Sequence, residues 1–173
     1  MDYEKHIGVY PDFPKKGISF KDISPLVANG PAFQSVIDDL AKLAEKYSPD
    51  YIIGAESRGF IFGAALAYKL GKGFIMGRKA GKLPGKTIKA SYALEYGTAS
   101  IEIPEGVIPE GAKVLLVDDL MATGGTFDAL KRIVVEAGGV PVAALTLITL
   151  EELHGEETVG LPCETLMVLS DSH

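Results

Sequence analysis

VLLVDDLMATGGT, residues 114–126, decides how this chain folds. Val114, Leu115, Leu116 and Val117 form a short apolar run without alternation, the pattern of a strand covered on both faces of a parallel sheet. Asp118 and Asp119 follow where that strand is expected to end. Ala122-Thr123-Gly124-Gly125-Thr126 comes next and leads into Phe127, Leu130, Ile133, Val134 and Ala137 at helical spacing. Strand, tight turn and helix in that order leave free backbone N–H groups at the positive end of a helix dipole. Such a nest suits a phosphate monoester.

Two carboxylates beside a phosphate nest define the ligand further. An acid repels phosphate but accepts hydrogen bonds from hydroxyls a few bonds away. The ligand implied is a phosphorylated polyol, its diol on Asp118 and Asp119 and its phosphate on residues 122–126. Either aspartate taken alone reads better as a turn cap; the thirteen residues together favour the ligand.

Composition excludes several classes. A chain of 173 residues, 47% hydrophobic, suits one domain with one sizeable core. No apolar stretch approaches membrane-spanning length, and MDYEKHIGVY lacks the charged-then-apolar order of a signal peptide, so a cytoplasmic protein is expected. Cys163 is the only cysteine, which excludes an intrachain disulfide, and His6, His154 and His173 have no ligand-like spacing. A net charge of −6 argues against broad nucleic-acid binding. Yet Arg78, Lys79, Lys82, Lys86 and Lys89 form a basic run with no acid among them, a local patch for a small polyanion.

Around the central stretch, apolar strands alternate with helices. The spacing predicts a helix from Asn29-Gly30-Pro31 to about Tyr47, a strand at Tyr51–Gly54, a helix at Phe60–Leu70 and a strand at Gly73–Met76. Residues 77–91 are basic, carry glycines and a proline, and read as a long loop. Residues 91–96 and 99–103 read as a hairpin, and Val140–Ile148 and Glu164–Leu169 as further strands. The expected class is α/β, with a mostly parallel central sheet flanked by helices.

A second turn supports the first. Glu56-Ser57-Arg58-Gly59 leaves one strand and enters one helix, and ligands of open α/β sheets gather outside the carboxyl ends of strands. Ser57 and the forked guanidinium of Arg58 suit a pyrophosphate. The basic run would neutralise a leaving diphosphate and exclude bulk water as a mobile lid. Glu95, between apolar neighbours, reads equally as a group sharing a proton with a ring nitrogen or as a strand-edge glutamate facing water. Phe20 stacks on a flat base or belongs to the core.

The stretches YPDFPKKGISFKDISP, IGAESRGFIFG, RKAGKLPGKT, SYALEYG and VLLVDDLMATGGT resemble, end to end, the adenine phosphoribosyltransferases of the type I phosphoribosyltransferase superfamily. The resemblance implies one phosphoribosyltransferase domain over residues 1–173. About residues 1–30 would form a small N-terminal purine-binding hood, and about 77–103 a flexible active-site loop and hairpin. It implies purine salvage: transfer of ribose 5-phosphate from phosphoribosyl diphosphate (PRPP) to N9 of adenine, giving AMP and diphosphate. Carried over, Phe20 would stack on adenine, backbone around Ser19 and Lys21 would read its edge, and Leu147 would flank the other face. Asp118 and Asp119 would hold the ribose hydroxyls, and Ala122, Thr123, Gly124, Gly125 and Thr126 the 5-phosphate. Ser57, Arg58, Arg78, Lys79 and Lys82 would serve the diphosphate, and Glu95, with Tyr96 beside it, the purine proton. Mg²⁺ bound mainly through PRPP or diphosphate, no metal ligand from the protein itself, and a cytoplasmic homodimer are implied as well. Lys21 stands where many members have arginine, and Ala80 where a basic residue is common. A sister transferase for another purine, or a PRPP-sensing regulator on the same fold, remain the rivals at this point.

Overall fold

The computed structural model describes residues 1–93 and 97–170, and the architecture below is that of the described residues. A one-turn helix, Tyr3–His6, precedes an antiparallel ribbon of β1 (Gly8–Tyr10) and β2 (Phe20–Asp22). Helices α1 (Ser24–Ala28) and α2 (Gly30–Glu45) lead to β3 (Tyr51–Ala55), α3 (Arg58–Leu70) and β4 (Gly73–Lys79). Then come β5 (Thr87–Ala93), β6 (Thr98–Pro104), β7 (Lys113–Met121) and α4 (Gly125–Glu136). The chain continues through β8 (Val140–Leu150), a short turn of helix at Glu151–Leu153, α5 (Gly155–Val159) and β9 (Cys163–Leu169).

Local chemistry explains the boundaries. The Asn29 side chain accepts a hydrogen bond from Ala32 N–H at 3.0 Å and caps α2, with Pro31 in the first turn. Val36, Ile37, Leu40, Ala41 and Ala44 form its buried stripe. Gly71, in the left-handed region, ends α3. Pro141 has no N–H to give the ladder, and the β7–β8 register shifts by a bulge beside its partner Val114.

The large sheet runs β5-β6-β4-β3-β7-β8-β9. Strands β4, β3, β7, β8 and β9 are parallel, and β6 pairs antiparallel with both β4 and β5. Val114, Leu115, Leu116 and Val117 have no exposed surface. Leu115 and Val117 pack with α2 and α3, while Val114 and Leu116 pack with α4 on the opposite face. Each such aliphatic burial contributes roughly 1.5–3 kcal/mol. Crossovers through α3 and α4 therefore cover opposite faces, and the winding reverses between β3 and β7. That reversal opens a crevice at their carboxyl ends.

Several expectations need correction. Strand β7 runs on to Met121, so Asp118 and Asp119 lie within it rather than beyond its end. Residues 77–91 are mostly strand: Arg78 and Lys79 belong to β4, and β5 begins at Thr87, leaving only 80–86 as loop. Ile88, Ala90 and Tyr92 do alternate with polar or small neighbours, and Lys89 suits β5 as the edge strand of its sheet. Helix α1 was not anticipated. The N-terminal ribbon is tethered by Tyr3, buried, whose hydroxyl bonds Ser35 Oγ at 2.8 Å and the Asp39 carboxylate on α2.

Candidate active site

Register brings the two sequence turns together. In the parallel ladders Gly54 lies opposite Val117, and Ala55 opposite Gly77. The chain leaving β3 at Glu56 is therefore flanked by Asp118 on one side and Arg78 on the other. The Glu56 N–H donates to Gly77 O at 2.9 Å, and the Glu56–Ser57 peptide is cis.

A cavity of about 230 Å³ lies over the end of β7. Residues 118–127 line it without a break, joined by Arg58, Tyr92 and Ala93. At one end are the acids. Asp118 Oδ1 accepts the Asp119 N–H at 2.8 Å, and Asp119, 3% exposed, meets Arg58 Nε at 3.0 Å. Burial first, and then the neighbouring Asp119 charge, push the Asp118 carboxyl well above its ordinary value. Gly59 makes this approach possible: a Cβ there would sit 3.1 Å from Asp118 Oδ1 and 3.2 Å from Val117 O.

At the other end is the start of α4. Gly124, φ 89°, is its N-cap and gives no side-chain cap, so the first-turn amides face the cavity unclaimed by any capping side chain. Gly124 packs so closely on Gly155 of α5 that a Cβ would fall on the Gly155 carbonyl oxygen. Lys131 Nζ donates to Val159 O at 2.6 Å and fastens α4 to α5 beneath the loop.

The basic residues converge on Glu56. Arg78 Nε bonds Glu56 Oε1 at 2.9 Å, the Lys79 N–H donates to the same oxygen at 3.1 Å, and Lys82 Nζ pairs with Oε2. These partners, Lys82 foremost, hold the Glu56 carboxyl down at about 2. Ser57 and Arg58 follow directly and are exposed.

Arg58 also walls a second cavity of about 440 Å³, with Phe20, Lys21, Asp22, Ser24, Val27 and Ile61 among its lining. Phe20 meets Phe13 edge-on, centroids 5.3 Å apart. Lys21 is 5% exposed, and its Nζ donates to Ser19 Oγ at 2.7 Å.

Most of the residues singled out in the sequence thus fall around one crevice. Leu147 does not: it has no exposed surface and packs in the core on the α2–α3 side of β8, so it has no free face to offer a base. Glu95 and Tyr96 lie outside the described residues, although Ala93 just before them lines the first cavity. Sequence reasoning missed Glu56 as the organiser of the cations, and missed Tyr92, Leu120 and Met121 at the cavity wall. Alternation along β5 was the available signal for Tyr92. Among the described residues no group of three His, Cys, Asp or Glu could hold a metal ion, and no helix is long and apolar enough to cross a membrane.

The sequence matches the phosphoribosyl transferase domain family over residues 24–159. Adenine phosphoribosyltransferase of Thermotoga maritima is 47% identical over 169 residues, covering 97% of this chain and 98% of that one. That of Rhodospirillum rubrum is 46% identical over 167 residues, covering 96% and 98%. The crystal structure of adenine phosphoribosyltransferase from Thermoanaerobacter pseudethanolicus superposes with a TM-score of 0.94 at 44% identity, covering 97% of this chain and 98% of that one. The Saccharomyces cerevisiae enzyme, complexed with an imino-altritol bisphosphate and adenine, gives 0.91 at 40% identity, covering 95% and 96%.

Proposed function

The chain belongs to the phosphoribosyl transferase family, in the branch that transfers ribose 5-phosphate from PRPP to adenine and gives AMP, and we propose how its own residues do so. The observation that carries the assignment is the unbroken lining of one cavity by residues 118–127, with carboxylates at one end and uncapped helix amides at the other. A ribose phosphate matches both ends at once.

The 5-phosphate takes the backbone amides of Ala122 to Thr126, where the α4 dipole favours an anion. Asp118 and Asp119 accept hydrogen bonds from the ribose hydroxyls. Adenine enters the cavity beside Phe20, where backbone at Ser19 and Lys21 reads its edge and Arg58 forms the wall shared with the sugar site. The diphosphate lies against Ser57, with Arg58, Arg78, Lys79 and Lys82 around it. The convergence of Arg78 and Lys82 on Glu56 supports this placement, because it gathers positive charge before the polyanion arrives.

In the transfer the bond from the anomeric carbon to diphosphate breaks while the bond to N9 forms, through an oxocarbenium-like state. Asp118 and Asp119 lie beside the developing positive charge, and the basic residues beside the departing negative charge. Glu95 takes the purine proton, for which its position two residues from the cavity-lining Ala93 is the support. The family generally uses Mg²⁺, which supplies charge neutralisation on the diphosphate. The donors present fit an ion carried by substrate oxygens: two carboxylates, one already engaged by Arg58.

We assign the working form as a cytoplasmic homodimer. Tyr68 on α3 is 91% exposed and presents an aromatic surface that a second copy would cover. Sedimentation should give twice the chain mass, and Tyr68→Glu should shift it toward the monomer; a monomeric parent protein would overturn the assignment. The activity itself is tested by a coupled assay for diphosphate release. Release with PRPP and adenine, and none when adenine is withheld, is expected. Equal or greater release with hypoxanthine or guanine would refute the adenine assignment.

A further inference from the structure

We propose that Glu102 is a positioning residue for the diphosphate-binding loop 80–86, clamping both of its ends from inside the sheet. The proposal rests on the reading above that this loop serves the diphosphate.

Glu102 is an unusual occupant of its site. It lies on β6 between Ile101 and Ile103, both in the core, and is itself only 5% exposed. A carboxylate so withdrawn from solvent is costly unless it is fully engaged. Its engagement is specific. Oε1 accepts the Gly81 N–H at 3.1 Å, and Oε2 accepts the Thr87 hydroxyl at 3.1 Å. Gly81 is the second residue of the loop beyond β4, and Thr87 is the first residue of β5, so one side chain ties the two ends together. Both bonds are charge-assisted and partly buried, which strengthens them.

The consequence falls on the cations. Lys82 follows Gly81 directly and reaches Glu56 from outside, while Arg78 reaches the same Glu56 from the β4 position paired with Glu102. Glu56 gathers the side chains, and Glu102 fixes the backbone that carries them. Without the inner clamp, residues 82–86 would sample many paths, and diphosphate binding would have to order them.

Glu102→Ala, Glu102→Gln and Thr87→Val test this through the separate KM values for PRPP and adenine and through hydrogen exchange at the Gly81 amide. Glu102→Ala, which removes both bonds, should raise KM for PRPP about tenfold and leave KM for adenine within about twofold. Its Gly81 amide should exchange faster. Glu102→Gln should stay within about threefold of the parent, since its carbonyl can accept from Gly81 and its amide can donate to Thr87 Oγ1. Thr87→Val removes one bond and should raise KM for PRPP about threefold; it decides the matter if Glu102→Ala does not fold. An unchanged KM for PRPP in Thr87→Val or in a folded Glu102→Ala, or equal rises in both KM values, would overturn the role of Glu102. If the parent enzyme released no diphosphate, the loop's assignment would fall instead, while Gly81 exchange would still report on the clamp.

Discussion

Asp118 and Glu56 face opposite electrostatic fates, and each has a measurable consequence. Asp118 is held well above its ordinary value by burial and by Asp119. With the folded value above the unfolded one, its contribution to stability is present at low pH and is lost as pH rises through the folded value. Asp118→Asn should therefore raise the melting temperature at neutral pH, by about 2–4 °C, while lowering kcat about a hundredfold. A variant that loses only PRPP affinity would contradict the role assigned to this carboxylate. The acid limb of the pH–rate profile should lie above the usual carboxylate range and vanish in the variant. Glu56 behaves inversely. Lys82, Arg78 and the Lys79 N–H hold it at about 2, so its contribution is present above the ordinary value of 4.5 and is lost as pH falls through about 2. Carbon NMR titration of the Glu56 carboxyl should give that low midpoint; an ordinary one would mean the cations are not gathered in solution. Asp118 was legible from its neighbours in sequence, because strand, acids and glycines are contiguous. Glu56 was not, since its cations come from the next strand and the loop beyond.

At the scale of elements, the turn proposed to bind phosphate depends on α5 as well as α4. Gly124 sits at φ 89° against the Gly155 carbonyl, so Gly124→Ala meets both a left-handed backbone and a blocked Cβ. The backbone term alone costs about 1–2 kcal/mol, and relief of the clash must lift the loop from α5. A rise in KM for PRPP with KM for adenine nearly unchanged is the expected result; equal rises in both would place the damage in the fold rather than the turn. Helix α2 was readable because Asn29, Pro31 and a regular apolar stripe agree. Strand β5 was masked by Lys89 and by the lysines and glycines before it, which gave residues 77–91 the look of one loop. The hairpin is also tied down: Arg132 of α4 bonds Asp128 through Nε at 3.0 Å and donates through Nη2 to Ser91 O at 2.7 Å.

For the molecule as a whole, the crevice exists because the winding reverses between β3 and β7, with α3 and α4 on opposite faces. Arg58 stands at that reversal and walls both cavities, so the sites proposed for sugar and base share one side chain. Ligand linkage makes this testable without turnover. PRPP at a hundredfold excess over its Kd should stabilise the fold by about 2.7 kcal/mol. Ribose 5-phosphate, lacking the diphosphate, should raise the melting temperature less at the same concentration. Equal shifts from the two would mean that the basic residues do not engage the diphosphate.

The sequence by itself determined the α/β class and the strand–turn–helix at residues 114–136, and it supplied the groups proposed for phosphate, diol and diphosphate. Those properties follow from local periodicity and from donors and acids adjacent in the chain. Tertiary structure alone decided which residues meet across strands: Glu56 with Arg78 and Lys82, Arg58 with Asp119, Glu102 with both ends of its loop, and Leu147 in the core instead of at the base. Strand order and register set these meetings, and both arise from contacts between residues far apart in sequence, which no local pattern encodes.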